Sequence, residues 1–251
     1  MSGALPGYAA AVTFSIVARC GRTGQLGVAA LTAKPGVGKL VAHVHPHGAV
    51  ATQALPNPFL AYDGLPLLDD ERTPEDVVTE LLDRDPGRDV RQVGMVDREG
   101  RSYAFTGART LDWSGHHIGM GYAVQGNRLV GAEPLDEIVR AYEDSEDLDL
   151  TERLLLAIEL GEDAGGDRHG ARSATVTVIG EQPYPLWDLR VDDHDQPAKE
   201  LRRLYDVFHE EVATAVRQLP TRDDPMGEAA RRALGPCGGP DDARGEPHRR
   251  G

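Results

Sequence analysis

The chain has 251 residues, 40% of them hydrophobic and 27% charged, which is enough to bury a substantial core in one large domain or a domain with an appendage. Its formal charge of −14 is spread along the chain, against the basic face that nucleic acid or an anionic membrane would need. Two cysteines, Cys20 and Cys237, give no disulfide framework, and no apolar run approaches the roughly 20 residues of a membrane span. Met1 to Val12 contains no lysine or arginine, so it lacks the n-region of a secretory signal, and a cytoplasmic location is expected.

In chain order, Val12 to Leu31 reads as a β-hairpin, with Phe14, Ile16 and Ala18 alternating against Thr13, Ser15, Val17 and Arg19 and a turn at Gly21–Gly24. Strands are expected at Lys39–His45 and Ala49–Gln53, and Pro56 to Pro66 is too rich in proline and glycine for regular structure. Thr73 to Arg84 reads as a helix, with Thr73 as N-cap, Pro74 at the first helical position and Asp76 completing a capping box. A second hairpin pairs Val90–Val96 with Ser102–Thr106. Gly121 to Asn127 reads as a short strand running into a tight turn. Helices follow at Pro134–Tyr142 and Thr151–Leu160, then strands at Ser173–Ile179 and Trp187–Val191, then a long helix from Pro197 to about Arg217. Beyond Leu219 the sequence is nearly devoid of apolar residues, and disorder is expected. Residues 1–12 are read as a leader or extension, 13–218 as one domain and 219–251 as a tail. Two strand clusters flanking two consecutive helices predict α+β layers.

Thr13 heads the first strand. Were it a chain terminus, one residue would hold both a hydroxyl nucleophile and an α-amine titrating near ~8, a base matched to neutral pH.

Eight segments, in order, resemble a known family: Thr13–Ala18, Leu26–Ala29, Ala49–Gln53, Asp85–Arg88, Arg91–Gly94, Gly121–Asn127, Ala164–Arg168 and Asp188–His194. Together they look like the bacterial domain of unknown function 1028, over about Thr13 to Leu204. The resemblance implies a four-layer αββα sandwich of two antiparallel sheets, similar to the N-terminal-nucleophile (Ntn) hydrolases. It also implies an amidohydrolase that uses a threonyl acyl-enzyme on a small amide or cyclic amide. Many members carry the threonine directly after the initiator methionine, and this sequence departs from that pattern. Three accounts fit: a true start downstream of Met1, autocatalytic cleavage at Val12–Thr13, or no terminal nucleophile.

On this reading Thr13, Lys34 and Asn127 are the catalytic candidates. Lys34 follows the second strand of the hairpin, where an ammonium would lower the amine's pKa and stabilise an oxyanion. Gln125-Gly126-Asn127 suits an oxyanion hole at a turn. Gln53, Gln125, Gly126, Asp167 and Arg168 are read as substrate-binding, the Arg168 guanidinium being suited to a carboxylate. No cofactor is required, the expected partner is a small-molecule amide, and a homodimer is a reasonable arrangement. A silent small-molecule-binding protein on the same fold is the first alternative. A metal-dependent hydrolase built on His43, His45 and His47 is the second, although Pro46 interrupts that strand and surface histidines are the better reading. Gly36-Val37-Gly38-Lys39 fails the phosphate-loop pattern, because residue 40 is leucine.

Overall fold

The computed structural model describes residues 12–68, 72–110, 113–166 and 170–235, and the chain divides into one unit ending at Val207 and a second beginning at Phe208. In the first unit, ten strands form two wholly antiparallel sheets. The six-stranded sheet has β1 (Thr13–Arg19) at its centre between β2 (Leu26–Thr32) and β8 (Tyr122–Leu129). β9 (Ser173–Ile179) and β10 (Pro185–Val191) extend it beyond β2, and β7 (Trp113–Gly119) forms its other edge. The four-stranded sheet runs β3 (Ala42–His45), β4 (Gly48–Ala54), β5 (Arg91–Asp97) and β6 (Ser102–Thr106).

Side-chain alternation explains the layering. On β1, Phe14 and Ile16 point to α5 (Glu133–Asp144) and α6 (Leu150–Asp163), which cover the outer face of the larger sheet. Thr13, Ser15 and Val17 point the other way, into the space between the sheets. The smaller sheet turns Val50, Val93 and Met95 outward onto α2 (Phe59–Tyr62), α3 (Gly64–Leu67) and α4 (Pro74–Asp83). Helices outside two facing sheets give four layers, the α+β sandwich expected from the sequence.

Local signals account for most boundaries. The α4 capping box is formed as read: Thr73 Oγ1 accepts from the Asp76 amide at 3.1 Å, while the Asp76 carboxylate accepts from the Thr73 amide at 3.2 Å. α6 is capped by Asp149, which accepts from the Glu152 amide at 3.0 Å.

Four readings need correction. Lys39 and Leu40 belong to a short helix, α1 (Val37–Leu40), entered through Gly36 at φ 77°, so β3 begins only at Ala42. The proline-rich stretch 56–66 contains α2 and α3, whose Leu60, Ala61 and Leu65 are buried against the smaller sheet. The long last helix breaks, α7 (Pro197–Glu211) being followed by α8 (Ala213–Arg217). In the second unit, α9 (Gly227–Leu234) occupies part of the stretch read as a disordered tail, and an Arg231–Asp224 ion pair at 2.7 Å ties it to the preceding loop.

A fifth correction bears on the site. Gln125-Gly126-Asn127 is no turn: it lies inside β8, hydrogen-bonded between β1 and β7. The irregularity in this glycine-dense stretch is a bulge one residue later. Arg128 adopts φ 60°, and the β7–β8 register shifts there, Trp113 facing Leu129 while Ser114 faces Asn127. The missed strand β7 is polar and half-exposed, with no continuous apolar face to mark it.

Candidate functional site

The space between the sheets has two chemically distinct ends. One is apolar, built from small and β-branched residues including Val17, Val28, Ala49, Ala51, Val96 and Ala123. At the other end the same inward-facing positions switch to polar side chains: Thr13 and Ser15 on β1, Thr32 on β2, Gln53 on β4, Gln92 on β5, and Gln125 and Asn127 on β8. Register brings them together. Thr13 lies opposite both Thr32 and Asn127, Ser15 opposite Gln125, and Gln53 opposite Gln92.

All seven side chains are buried, and five of them form one hydrogen-bonded cluster that the Thr13–Thr32 hydroxyl pair joins through the Thr13 carbonyl. Gln125 Nε2 donates to Ser15 Oγ at 2.6 Å, and Ser15 Oγ donates to Gln53 Oε1 at 2.6 Å. Gln53 Nε2 donates to Gln92 Oε1 at 2.8 Å and to the carbonyls of Thr13 and Gln125, both at 3.3 Å. Asn127 Nδ2 adds a second bond to Gln92 Oε1 at 3.0 Å. Gln92 Nε2 then donates to the Gly126 carbonyl at 2.8 Å and to the Gly115 carbonyl and Thr106 Oγ1, each at 3.0 Å. Neutral amides suit this place, because each supplies donors and acceptors without the desolvation cost of a charge. The exception is Gln125 Oε1, a buried oxygen without a hydrogen-bond partner, packed against Gly94 of β5.

The cluster reaches the surface through Thr106 Oγ1, which lies 2.8 Å from His116 Nδ1. Thr106 Oγ1 accepts from Gln92, and its own proton is available to His116 Nδ1 when the neutral ring carries its hydrogen on Nε2. Burial, followed by the neighbouring His117, holds the His116 pKa below the ordinary histidine value.

Thr13 sits at the open end of β1 with 7% of its surface exposed. Its hydroxyl lies 2.9 Å from Thr32 Oγ1, and Thr32 Oγ1 donates to the Val12 carbonyl at 2.6 Å. Backbone strain also gathers here. The only non-glycine residues with positive φ among those described are Ala54 (66°) and Arg128 (60°), which directly follow Gln53 and Asn127.

Of the residues singled out from the sequence, Thr13, Gln53, Gln125, Gly126 and Asn127 are thus brought together. Lys34 is not joined to them: it lies two residues beyond Thr32, partly exposed, and its ammonium makes no hydrogen bond or ion pair with a described residue. Asp167 and Arg168 lie outside the described residues. Ser15, Thr32, Gln92 and Thr106 were not singled out. Their signal was present as polar residues at inward positions of otherwise apolar strands. The histidines of the 43–47 stretch do not converge: His45 and His47 stack at 4.6 Å, while His43 meets Tyr62 edge-on at 5.5 Å. Among the described residues no three His, Cys, Asp or Glu side chains form a group able to hold a metal ion, and no helix is long and apolar enough to cross a membrane.

An antiparallel four-layer sandwich with a buried amide cluster at the head of its central strand is the class that fold and site define. Residues 13–201 match the model of a family of unknown function (DUF1028), and the chain belongs to that family. The match begins at Thr13. Among solved structures, the chain is similar to protein SPO2555 from Silicibacter pomeroyi, described as a member of the same family. The two are 33% identical with a TM-score of 0.79, over 86% of this chain and 98% of that one. No curated protein matches the chain.

Proposed function

We propose that the protein is an amidohydrolase of the N-terminal-nucleophile kind, acting on a small amide or cyclic amide through Thr13. The observation that carries this reading is the concentration of six other buried polar side chains around Thr13, in a space that is apolar at its other end. A core needs no such cluster for stability, and a satisfied polar network in low dielectric is a costly arrangement that fixes groups in place. The family match beginning at Thr13 and the two left-handed residues beside the cluster add support.

As a terminal residue, Thr13 would pass its hydroxyl proton to its own amine and attack the substrate carbonyl. The departing nitrogen would take that proton, leaving an ester on Oγ1. Water, activated by the same amine, would release the acid. Lys34 is the cation proposed to lower the amine's pKa, and Asn127, opposite Thr13 in register, is the side-chain amide proposed to donate to an oxyanion.

The test is a chain that begins at Thr13, treated with a β-lactone that acylates nucleophilic hydroxyls and read by intact mass and peptide mapping. Stoichiometric acylation at Thr13, abolished by Thr13→Ala, is the expected result. A terminal Thr13 that stays unlabelled in folded protein defeats the proposal. One observation favours a silent binding protein: Gln125 and Asn127 each already give one of their two amide hydrogens to a neighbour in the cluster, Ser15 and Gln92. On that reading Thr13→Ala leaves the affinity for a bound small molecule unchanged.

A further inference from the structure

Two backbone carbonyls decide which way the amides of the cluster point. Gln92 Nε2 lies 2.8 Å from the Gly126 carbonyl and 3.0 Å from the Gly115 carbonyl, and a carbonyl oxygen only accepts. Turning the Gln92 amide over would set its Oε1 against those two oxygens, so its nitrogen is held on that side. Gln92 Oε1 then faces Gln53 at 2.8 Å and Asn127 at 3.0 Å, and both partners must present nitrogen to it. Gln53 Oε1 is left to take the Ser15 proton, and Ser15 Oγ takes a hydrogen from Gln125. Gln125 Oε1 is the oxygen left over, against Gly94. Four amides thus share one arrangement, and it is set at Gln92.

Asn127 is where that arrangement meets Thr13. The two residues lie directly opposite in the β1–β8 ladder, where facing β-carbons stand about 4.5–5.5 Å apart. Both are buried, at 2% and 7% exposure. Asn127 gives one amide hydrogen to Gln92, and its other hydrogen has no acceptor among the described residues. We infer that Gln92 is a positioning residue for chemistry at Thr13. By accepting from Asn127 Nδ2 it fixes the Asn127 carboxamide and leaves the second N–H for the oxyanion that forms when Thr13 attacks a carbonyl. This rests on the reading of Thr13 as a nucleophile and names the group that sets its donor in place before charge appears. Gln92 stands on β5 of the facing sheet and acts only through Asn127.

The test is a double-mutant cycle on the chain that begins at Thr13, with the rate of β-lactone acylation followed by intact mass. Asn127→Ala removes the donor and should slow acylation on the order of 10²-fold. Gln92→Met keeps the length and loses the acceptor. It should cost at least about 10-fold, since misplacing a group by about 1 Å costs up to about 10²-fold. The double variant should be no slower than Asn127→Ala alone, because the group being positioned is gone. Val50→Ala, a buried truncation on the outer face of the smaller sheet, should lower stability and leave the rate unchanged. Melting curves establish that each variant is folded at the assay temperature. Gln92→Asn, an amide one methylene too short to span the hub, replaces Gln92→Met if that variant melts. Effects of Gln92→Met and Asn127→Ala that multiply overturn the inference, as does a folded single variant of either residue acylated at the wild-type rate. An equal loss in Val50→Ala also overturns it. A wild-type chain that stays unlabelled removes the proposed function and this inference with it, whereas a labelled wild type with multiplying effects removes the inference alone.

Discussion

Gly94 of β5 lies so close beneath Gln125 of β8 that a methyl group on its α-carbon would stand 1.9 Å from Gln125 Oε1. The two sheets thus meet with no room for a side chain at the point where the amide cluster crosses between them. Gly94→Ala must push the Gln125 amide aside and disturb its 2.6 Å bond to Ser15. Overpacking of this kind costs about 1–3 kcal/mol. The expected outcome is a loss of that size in urea unfolding, with an unchanged dependence on urea concentration.

Gln92 is the hub of the cluster, accepting from Gln53 and Asn127 and donating toward Thr106, Gly115 and Gly126. Gln92→Leu keeps the bulk but leaves the Asn127 amide without its acceptor and Gln53 Nε2 with only its two longer carbonyl bonds. A stranded buried group costs about 1–3 kcal/mol, so the variant should lose more than about 1 kcal/mol by denaturant titration. A variant within about 1 kcal/mol of wild type would show that water replaces the hub and that the cluster is looser than its bonds suggest.

The fold was legible wherever one local rule decided the outcome. Phe14 and Ile16 against Thr13 and Ser15 is a period-2 pattern and becomes the two-faced strand β1; Thr73 and Asp76 become the capping box. Failures came where tertiary contacts decided. Pro58 and Pro66 mark a loop by composition, yet burial of Leu60 and Leu65 turns that stretch into helix. Gly126 resembles a turn glycine, but the demand at that position is closeness: a Cβ there would lie 2.6 Å from Leu129 and 2.9 Å from Leu135 of α5. The site was half visible. Thr13, Gln53, Gln125 and Asn127 could be named from motif segments, whereas Gln92 stood in a named segment and was passed over. Finding it requires the register that places it opposite Gln53.

The cluster carries a pH dependence through His116. Its pKa is depressed by burial and by His117, so the ring is neutral in the folded chain where an unfolded one would be protonated. A depressed pKa contributes stability that is present above the unfolded value near 6.5 and lost as pH falls through the folded value. In the tautomer with hydrogen on Nε2, protonating Nδ1 also removes the acceptor for the Thr106 proton. Thermal unfolding between pH 7.5 and 5 should therefore show a decline in wild type that is reduced in His116→Gln. Equal declines in the two proteins would assign the effect elsewhere.

The motif residues Asp85 and Arg91 anchor the loop that follows Gln53 and lie outside the amide cluster. Asp85 accepts from Arg91 Nε at 2.9 Å, Asn57 Nδ2 at 2.8 Å and the Gly87 amide at 2.7 Å, while Arg91 Nη1 donates to the Leu55 carbonyl at 2.7 Å. The Arg91 guanidinium is the first cause that brings the Asp85 carboxyl down to about 2, helped by Asn57 and Gly87 against the opposing effect of burial. The folded pKa is below the ordinary 3.8, so this stabilisation is present above pH 4 and disappears as pH falls through 2. It amounts to about 2 kcal/mol. Asp85→Asn should thus be less stable than wild type at pH 6 by at least that amount. The gap should close on acidification, because wild type loses the charged partner that the variant never had. Were the gap constant from pH 6 to pH 2, Asp85 would act through its neutral hydrogen bonds alone. Because this anchor holds Leu55 two residues after Gln53, the variant should also speed amide exchange at Gln53 and Ala54, read by hydrogen exchange at pH 6.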